Sequence, residues 1–137
     1  IVDGLAFFQD YGLTGDAVSA LLSDALRDSG HTLVVGVEAG RVQGFAWIVD
    51  RGAFCRSAYL RLIATCQASR RGGVGSRLMA HLERMFLAEA DLTLLVTESN
   101  APARRFYEKL GYQQVGALPD YVRTGVTECL YIKPRHR

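Results

Sequence analysis

The chain has 137 residues, 49% hydrophobic and 22% charged, with a formal net charge of +2. That suits one globular domain spanning 1–137, able to bury about two-thirds of its unfolded surface. It makes no case for a nucleic-acid or membrane-surface partner, and no apolar run approaches the roughly 20 residues of a spanning helix.

Residues 1–12 carry Leu5, Phe7, Phe8 and Tyr11 and read as a short helix ending at Gly12. From Thr14 to Ser29, Ala17, Val18, Leu21, Leu22, Ala25 and Leu26 recur at helical spacing, and Gly30 closes the run. Thr32 to Glu38 and Val42 to Asp50 read as a hairpin around Ala39-Gly40. Ala58 to Thr65 is a third strand. Next comes the Gly-rich turn Arg70-Arg71-Gly72-Gly73-Val74-Gly75-Ser76, leading into an amphipathic helix from Val74 to Ala90.

Leu92 to Thr97 is a nearly continuous apolar strand, as expected for one covered on both faces. A helix follows, with Asn100 as N-cap, Pro102 in its first turn and Gly111 as terminator. Tyr112 to Leu118 and Val126 to Ile132 are two last strands around a loop at Pro119-Asp120. The order is helices, three strands, helix, strand, helix, two strands: a mixed α/β layer architecture. The basic tail Lys133-Pro134-Arg135-His136-Arg137 is expected to be solvated and mobile.

Cys55, Cys66 and Cys129 are odd in number and contain no Cys-x-x-Cys pair, and His31, His81 and His136 are scattered. Neither a disulfide framework nor a metal site is expected. The opening residues show no leader pattern, so a reducing cytoplasm is the expected location.

A glycine-rich turn between strand and helix suits a phosphate. Glycines admit close approach, and the first helical N–H groups lack intrahelical partners and point outward along the helix dipole. Arg70 and Arg71 add cationic charge there. It is not a Walker A loop, because the chain has no Gly-Lys. It is not a dinucleotide fingerprint, because Leu78 stands where the third glycine would be. Alone, such a turn could equally well only redirect the chain.

A second block changes the balance: Asn100-Ala-Pro-Ala-Arg-Arg-Phe-Tyr-Glu-Lys-Leu-Gly-Tyr112. Arg-x-x-Gly-x-Gly, then a helix, a strand and Asn-x-x-Ala-x-x-Phe-Tyr-x-x-x-Gly-Tyr, resembles the GNAT acetyltransferase superfamily over residues 32–132. The resemblance implies a mixed, mostly antiparallel sheet flanked by helices, with acetyl-CoA as cofactor and a primary amine as acceptor, small molecule or protein. It implies acetyl transfer by direct attack in a ternary complex, and it leaves a homodimer open. The family opens with a strand before its first helix; no convincing one is seen here, so that strand is expected to be missing, displaced or trimmed away.

By resemblance, Arg70, Arg71, Gly72, Gly73, Val74, Gly75 and Ser76 hold the pyrophosphate. Ile63, Ala64 and Thr65 lie beside the pantetheine arm, with one N–H on the acetyl oxygen. Asn100, Ala103 and Phe106 contact the arm, and Tyr107 faces the sulfur as general acid. The same residues also suit plainer roles: strand core, an N-cap, a helical core stripe. Where related ribosomal-protein acetyltransferases carry a mid-strand glutamate, this chain has Leu94. Glu98, further along and on the same face by alternation, is a weaker base candidate, and Glu128 and Asp120 are weaker again. Tyr121 lines the acceptor side by resemblance. A non-catalytic acyl-CoA-binding regulatory module is the alternative reading.

Overall fold

The computed structural model describes residues 15–67 and 72–137. The elements are α1 (Gly15–Ala25), β1 (His31–Glu38), β2 (Arg41–Ala53), β3 (Ser57–Thr65), α2 (Val74–Phe86), β4 (Leu92–Thr97), α3 (Ala101–Lys109), β5 (Gln113–Pro119) and β6 (Thr127–Lys133). They build one six-stranded sheet of order β1-β2-β3-β4-β6-β5. Every neighbouring pair is antiparallel except β3 and β4, which run parallel. The mixed, mostly antiparallel architecture expected from the sequence is therefore present. Among the described residues no strand precedes α1; the short helix expected over residues 1–12 lies outside them.

Strand alternation sorts the side chains onto two faces. One face carries Ala46, Ile48, Leu60, Leu92, Leu94, Val96, Cys129 and Tyr131. It packs against Met79 and Leu82 of α2 and Tyr107 of α3. The other carries Trp47 and Leu62 against Val18 of α1, with Leu22, Leu33 and Phe45 at the margin. The β1–β2 hairpin closes through Ala39 (φ 50) and Gly40 (φ 75) between the paired residues Glu38 and Arg41. Two successive positive φ values give the turn whose twist matches the strands.

The C-terminal tail departs from its expected mobility. The backbone N–H of His136 donates to the Leu87 carbonyl at 2.7 Å, and that of Arg135 donates to Asp91 Oδ1 at 2.8 Å. Just before it, Lys133 Nζ donates to Glu83 Oε2 (2.9 Å) and to the Leu110 carbonyl (2.7 Å), joining β6 to α2 and to the end of α3. The basic residues thus meet carbonyls and carboxylates left at the ends of neighbouring elements.

Candidate active site

The parallel ladder between β3 and β4 is short. It pairs Ala58 with Leu92, Tyr59 with Thr93 and Leu60 with Leu94, and stops there, although β3 runs on to Thr65 and β4 to Thr97. At the same point the register with β2 slips: Trp47 faces Leu62 and Ile48 faces Leu60, leaving Arg61 as an extra residue in β3. A bulge bends its strand and tightens its twist. The bend falls where β3 leaves β4, so the sheet opens into a fork.

Alternation sets which peptide groups line that fork. The Cys66 N–H donates to the Gln43 carbonyl on β2 at 2.7 Å. Two residues back, Ala64 is turned to β2 in the same way, while the N–H and C=O groups of Ile63 and Thr65 point into the fork. Ala64, grouped by sequence with its two neighbours, is therefore the one whose peptide N–H faces away. A row of free strand groups is a template for an added extended chain.

The start of α2 lies at the end of β3. Gly73 is its N-cap, at φ 75 and ψ 15, with no side-chain cap. The first helical bond runs from the Arg77 N–H to the Gly73 carbonyl at 3.0 Å. The N–H groups of Val74, Gly75 and Ser76 have no protein acceptor among the described residues. A left-handed cap suits glycine, and the uncapped donors with the positive end of the dipole suit an anion. Arg77 Nη1 donates to the Gly72 carbonyl at 2.9 Å and braces the turn. Arg70 and Arg71 lie outside the described residues. A Cβ on Gly75 would sit 3.4 Å from Phe106 Cζ and 3.9 Å from Thr65 Cγ2. The helix start, the end of β3 and α3 thus converge on one point.

Helix α3 supplies the third wall. Asn100 Oδ1 accepts from the Ala103 N–H at 3.3 Å, so the cap role expected of Asn100 is present. Ala103 and Phe106 are half-buried against the core. Tyr107 is buried, its ring edge-on to Phe106 (5.1 Å between centroids) and to Tyr112 (5.8 Å). Its hydroxyl has no hydrogen-bond partner among the described residues, and burial pushes it far above the usual tyrosine range. Tyr107 is a neutral donor throughout the physiological range.

The base candidates separate clearly. Leu94 is buried in the core. Glu98 lies past the end of β4, in the turn, and is exposed, so strand alternation does not apply to it. Asp120 Oδ1 accepts from the Gly125 N–H at 2.6 Å and shapes the β5–β6 loop. Glu128 differs: it is 5% exposed, pairs across the ladder with Thr97, and accepts from the Thr97 hydroxyl on both oxygens, at 3.0 and 3.2 Å. Tyr59 lies near it. Burial raises the Tyr59 hydroxyl, Arg61 lowers it, and Tyr121 and Glu128 raise it. Tyr59, Thr97 and the Arg61 bulge were not singled out from sequence; the slipped register and the sheet order that bring them together have no local sequence signature. Among the described residues no three His, Cys, Asp or Glu side chains gather as metal ligands.

A parallel strand pair that forks, with an uncapped helix N-terminus at its open end and Phe106 of α3 beside that terminus, makes a site suited to an extended ligand with an anionic end. The model of the Acetyltransferase (GNAT) family matches residues 5–112, and the chain belongs to that family. It is 36% identical over 66 residues to an uncharacterized N-acetyltransferase of Methanocaldococcus jannaschii, covering 46% of this chain and 42% of that one. It is 30% identical over 106 residues to an N-alpha-acetyltransferase of Sulfurisphaera tokodaii, covering 74% and 63%. The chain thus spans less than two-thirds of both relatives. An aminoglycoside 6′-N-acetyltransferase complexed with coenzyme A has the same fold, with TM-score 0.80 and 17% identity over 99% of this chain and 89% of that one. No described helix is long and apolar enough to cross a membrane.

Proposed function

We propose that this chain transfers the acetyl group of acetyl-CoA to a primary amine, by direct attack in a ternary complex. The observation that carries the reading is the fork beyond Leu60 and Leu94, with the uncapped start of α2 at its end and Phe106 of α3 against Gly75. The N–H groups of Val74, Gly75 and Ser76 would hold the pyrophosphate, and Arg70 and Arg71, which precede them in sequence, would add cationic charge. Ile63 and Thr65 of β3 would hold the pantetheine arm through their peptide groups, and one of their N–H groups would polarise the thioester carbonyl. Asn100, Ala103 and Phe106 flank the arm. Three free thiols suit a reducing cytoplasm.

Acetyl-CoA supplies an activated thioester. The amine nitrogen attacks its carbonyl carbon, the C–N bond forms, and the C–S bond breaks. Tyr107 donates its proton to the departing thiolate. Burial holds that proton tightly, but the same apolar surroundings raise the thiolate's basicity too, so the transfer is not made harder in proportion. Tyr107 is then reprotonated by the proton that the amine releases. No covalent nucleophile is needed: Cys66 donates its thiol hydrogen to the Val42 carbonyl at 3.7 Å, which leaves it without an activating base there.

The test is coenzyme A release from acetyl-CoA, followed with a thiol reagent, over α-amino, ε-amino, polyamine and aminoglycoside acceptors. Tyr107→Phe is expected to bind acetyl-CoA as the parent does and to lose about 10²–10⁴-fold in turnover. An acyl-CoA-binding module without activity would bind the cofactor, release no thiol with any amine, and be indifferent to Tyr107→Phe.

A further inference from the structure

We propose that Arg61, set at the root of the fork by the bulge in β3, receives a carboxylate of the acceptor, so that the amines this chain acetylates carry an acidic group. The inference rests on the acetyl-transfer reading and adds to it a feature of the acceptor other than its amine.

Register sets the place. Leu60 is the last residue of β3 that pairs with β4, and Arg61 follows it. Arg61 is also the residue left over by the slipped pairing with β2, in which Leu60 faces Ile48 and Leu62 faces Trp47. Leu60 and Ile48 belong to the core beneath α2 and α3, whereas Leu62 and Trp47 pack against Val18 of α1. Arg61 joins the second group, its guanidinium carbon 4.8 Å from the centre of the Trp47 ring. The bulge thus puts a cation at the branch point, on the face that α2 and α3 do not cover. On the acetyl-transfer reading the pyrophosphate lies beyond Thr65 and the arm returns along β3 towards Leu60. Its acetyl end is then the end nearest the root. Ile63 is two residues from Arg61, about 7 Å along the strand.

The surroundings of Arg61 fit it to a ligand rather than to the fold. Trp47 is a fixed support: it is 4% exposed, and its Nε1–H donates to His31 Nδ1 at 3.1 Å. Arg61 itself is exposed, and it makes no ion pair and donates no hydrogen bond to the described residues. Arg77, Arg104 and Arg135, by contrast, direct their side-chain donors at protein carbonyls. A guanidinium over an aromatic ring keeps its N–H edges available, and those edges match the two oxygens of a carboxylate. Tyr59 stands on the same face by alternation. Burial raises its hydroxyl, Arg61 lowers it, Tyr121 and Glu128 raise it, and the net shift is upward. Tyr59 is therefore a neutral second donor within the field of the cation. A second ammonium in place of the carboxylate would be repelled by Arg61. Arg61 is a specificity-determining residue for amines that bear a carboxylate.

The experiment is a proton–nitrogen NMR titration of the protein saturated with coenzyme A. The probes are γ-aminobutyrate and ε-aminocaproate, each beside its amide as the counterpart without the carboxylate charge. The chain has a single tryptophan, so one indole N–H signal reports on the ring beneath Arg61. Saturable shifts of that signal and of the Arg61 and Leu62 amides are expected with at least one acid, which should bind about tenfold or more tightly than its amide. Arg61→Met keeps an apolar stem over Trp47 and is expected to respond to acid and amide alike. Arg61→Lys keeps the charge without the planar fork and is expected to fall between Arg61→Met and the parent. Thermal melts check that both variants are folded. Equal response of the parent to the acids and their amides, no response to any of them, or an acid preference that survives in Arg61→Met would overturn the proposal. Coenzyme A affinity is measured on the same samples. Its absence would sink the acetyl-transfer reading, whereas normal coenzyme A binding without a preference for the acids would sink this inference alone.

Discussion

Gly44 on β2 is where the two walls of the fork are most sensitive to a single methyl group. A Cβ built there would lie 2.9 Å from the Ala64 carbonyl oxygen and 3.1 Å from both Thr65 Cγ2 and Val74 Cγ1. The oxygen belongs to the backbone and cannot rotate aside, so β2 and β3 must separate or the start of α2 must lift. Overpacking of this kind costs about 1–3 kcal/mol. In a domain of this size each kcal/mol is worth about 3–5 °C in melting temperature. Gly44→Ala is therefore expected to melt about 3–15 °C below the parent. On the proposed function Thr65 and Val74 frame the cofactor, so the same substitution should also weaken acetyl-CoA binding. Gly36 is the matched control: a Cβ there meets Val74 Cγ1 at 3.4 Å and Gly44 O at 3.8 Å, ordinary contacts. Gly36→Ala should melt at or slightly above the parent, since it restricts the unfolded chain. Circular-dichroism melts and calorimetric acetyl-CoA titrations of the three proteins decide the matter. If Gly44→Ala melts no lower than Gly36→Ala, the close approach of β2, β3 and α2 is refuted.

Three further predictions concern the core around this site. Burial holds the Tyr107 proton above the usual value of 10.0, so the folded state keeps a proton that the unfolded state releases. That contribution is whole below pH 10 and shrinks as pH rises beyond it. Urea unfolding at stepped alkaline pH should show a shallower decline in Tyr107→Phe than in the parent; identical slopes would contradict the burial. Cys55 is exposed, whereas Cys129 is 0% exposed and its thiol is pushed up by burial. Mass mapping after a brief thiol label should find Cys55 modified in the native protein and Cys129 modified only in denaturant. Lys133→Met removes the cation beside Glu83, whose Oε1 is already buried without a hydrogen bond. Denaturant curves should show a loss of about 1–3 kcal/mol, part of which Glu83→Gln restores in the double variant.

Local signals carried most of the elements. Leu92–Thr97 is a strand because six consecutive residues of apolar or β-branched type allow little else, and its bounds agree with those read from sequence. Asn100 and Gly111 bracket α3 because a cap and a left-handed terminator each need a particular residue type; Gly111 has φ 93. The apolar pattern predicts a helix from Val74 to Ala90, whereas α2 ends at Phe86, with the Glu89 and Ala90 N–H groups still bonded to the Phe86 carbonyl in the turns that follow. Apolar periodicity continues through Leu87, which is buried, and so hides the point where the helix unwinds.

The site was legible in part. Gly73 at the start of α2 and Asn100 at the start of α3 follow from spacing, since each cap sits in a short segment with its own chemistry. Glu98 was misplaced because alternation was carried one residue past the end of β4. Ala64 could not be told from Ile63 and Thr65, because which edge of β3 faces β2 depends on pairing with residues some twenty positions earlier. The Arg61 bulge and the Thr97–Glu128 pair are likewise products of register between distant strands.

If the fork and the start of α2 hold acetyl-CoA, a calorimetric titration with acetyl-CoA, using adenosine diphosphate as comparison, will show it. The informative variant is Gly75→Glu. A glutamate in the first turn favours the helix dipole, and the side-chain contacts at Gly75 are ordinary ones, so the fold should survive. Its carboxylate would stand where the pyrophosphate belongs. Micromolar binding by the parent, weaker binding of adenosine diphosphate and a loss of at least about tenfold in folded Gly75→Glu are expected. Equal affinity in the two proteins, or no binding by a folded parent, would contradict a cofactor site there.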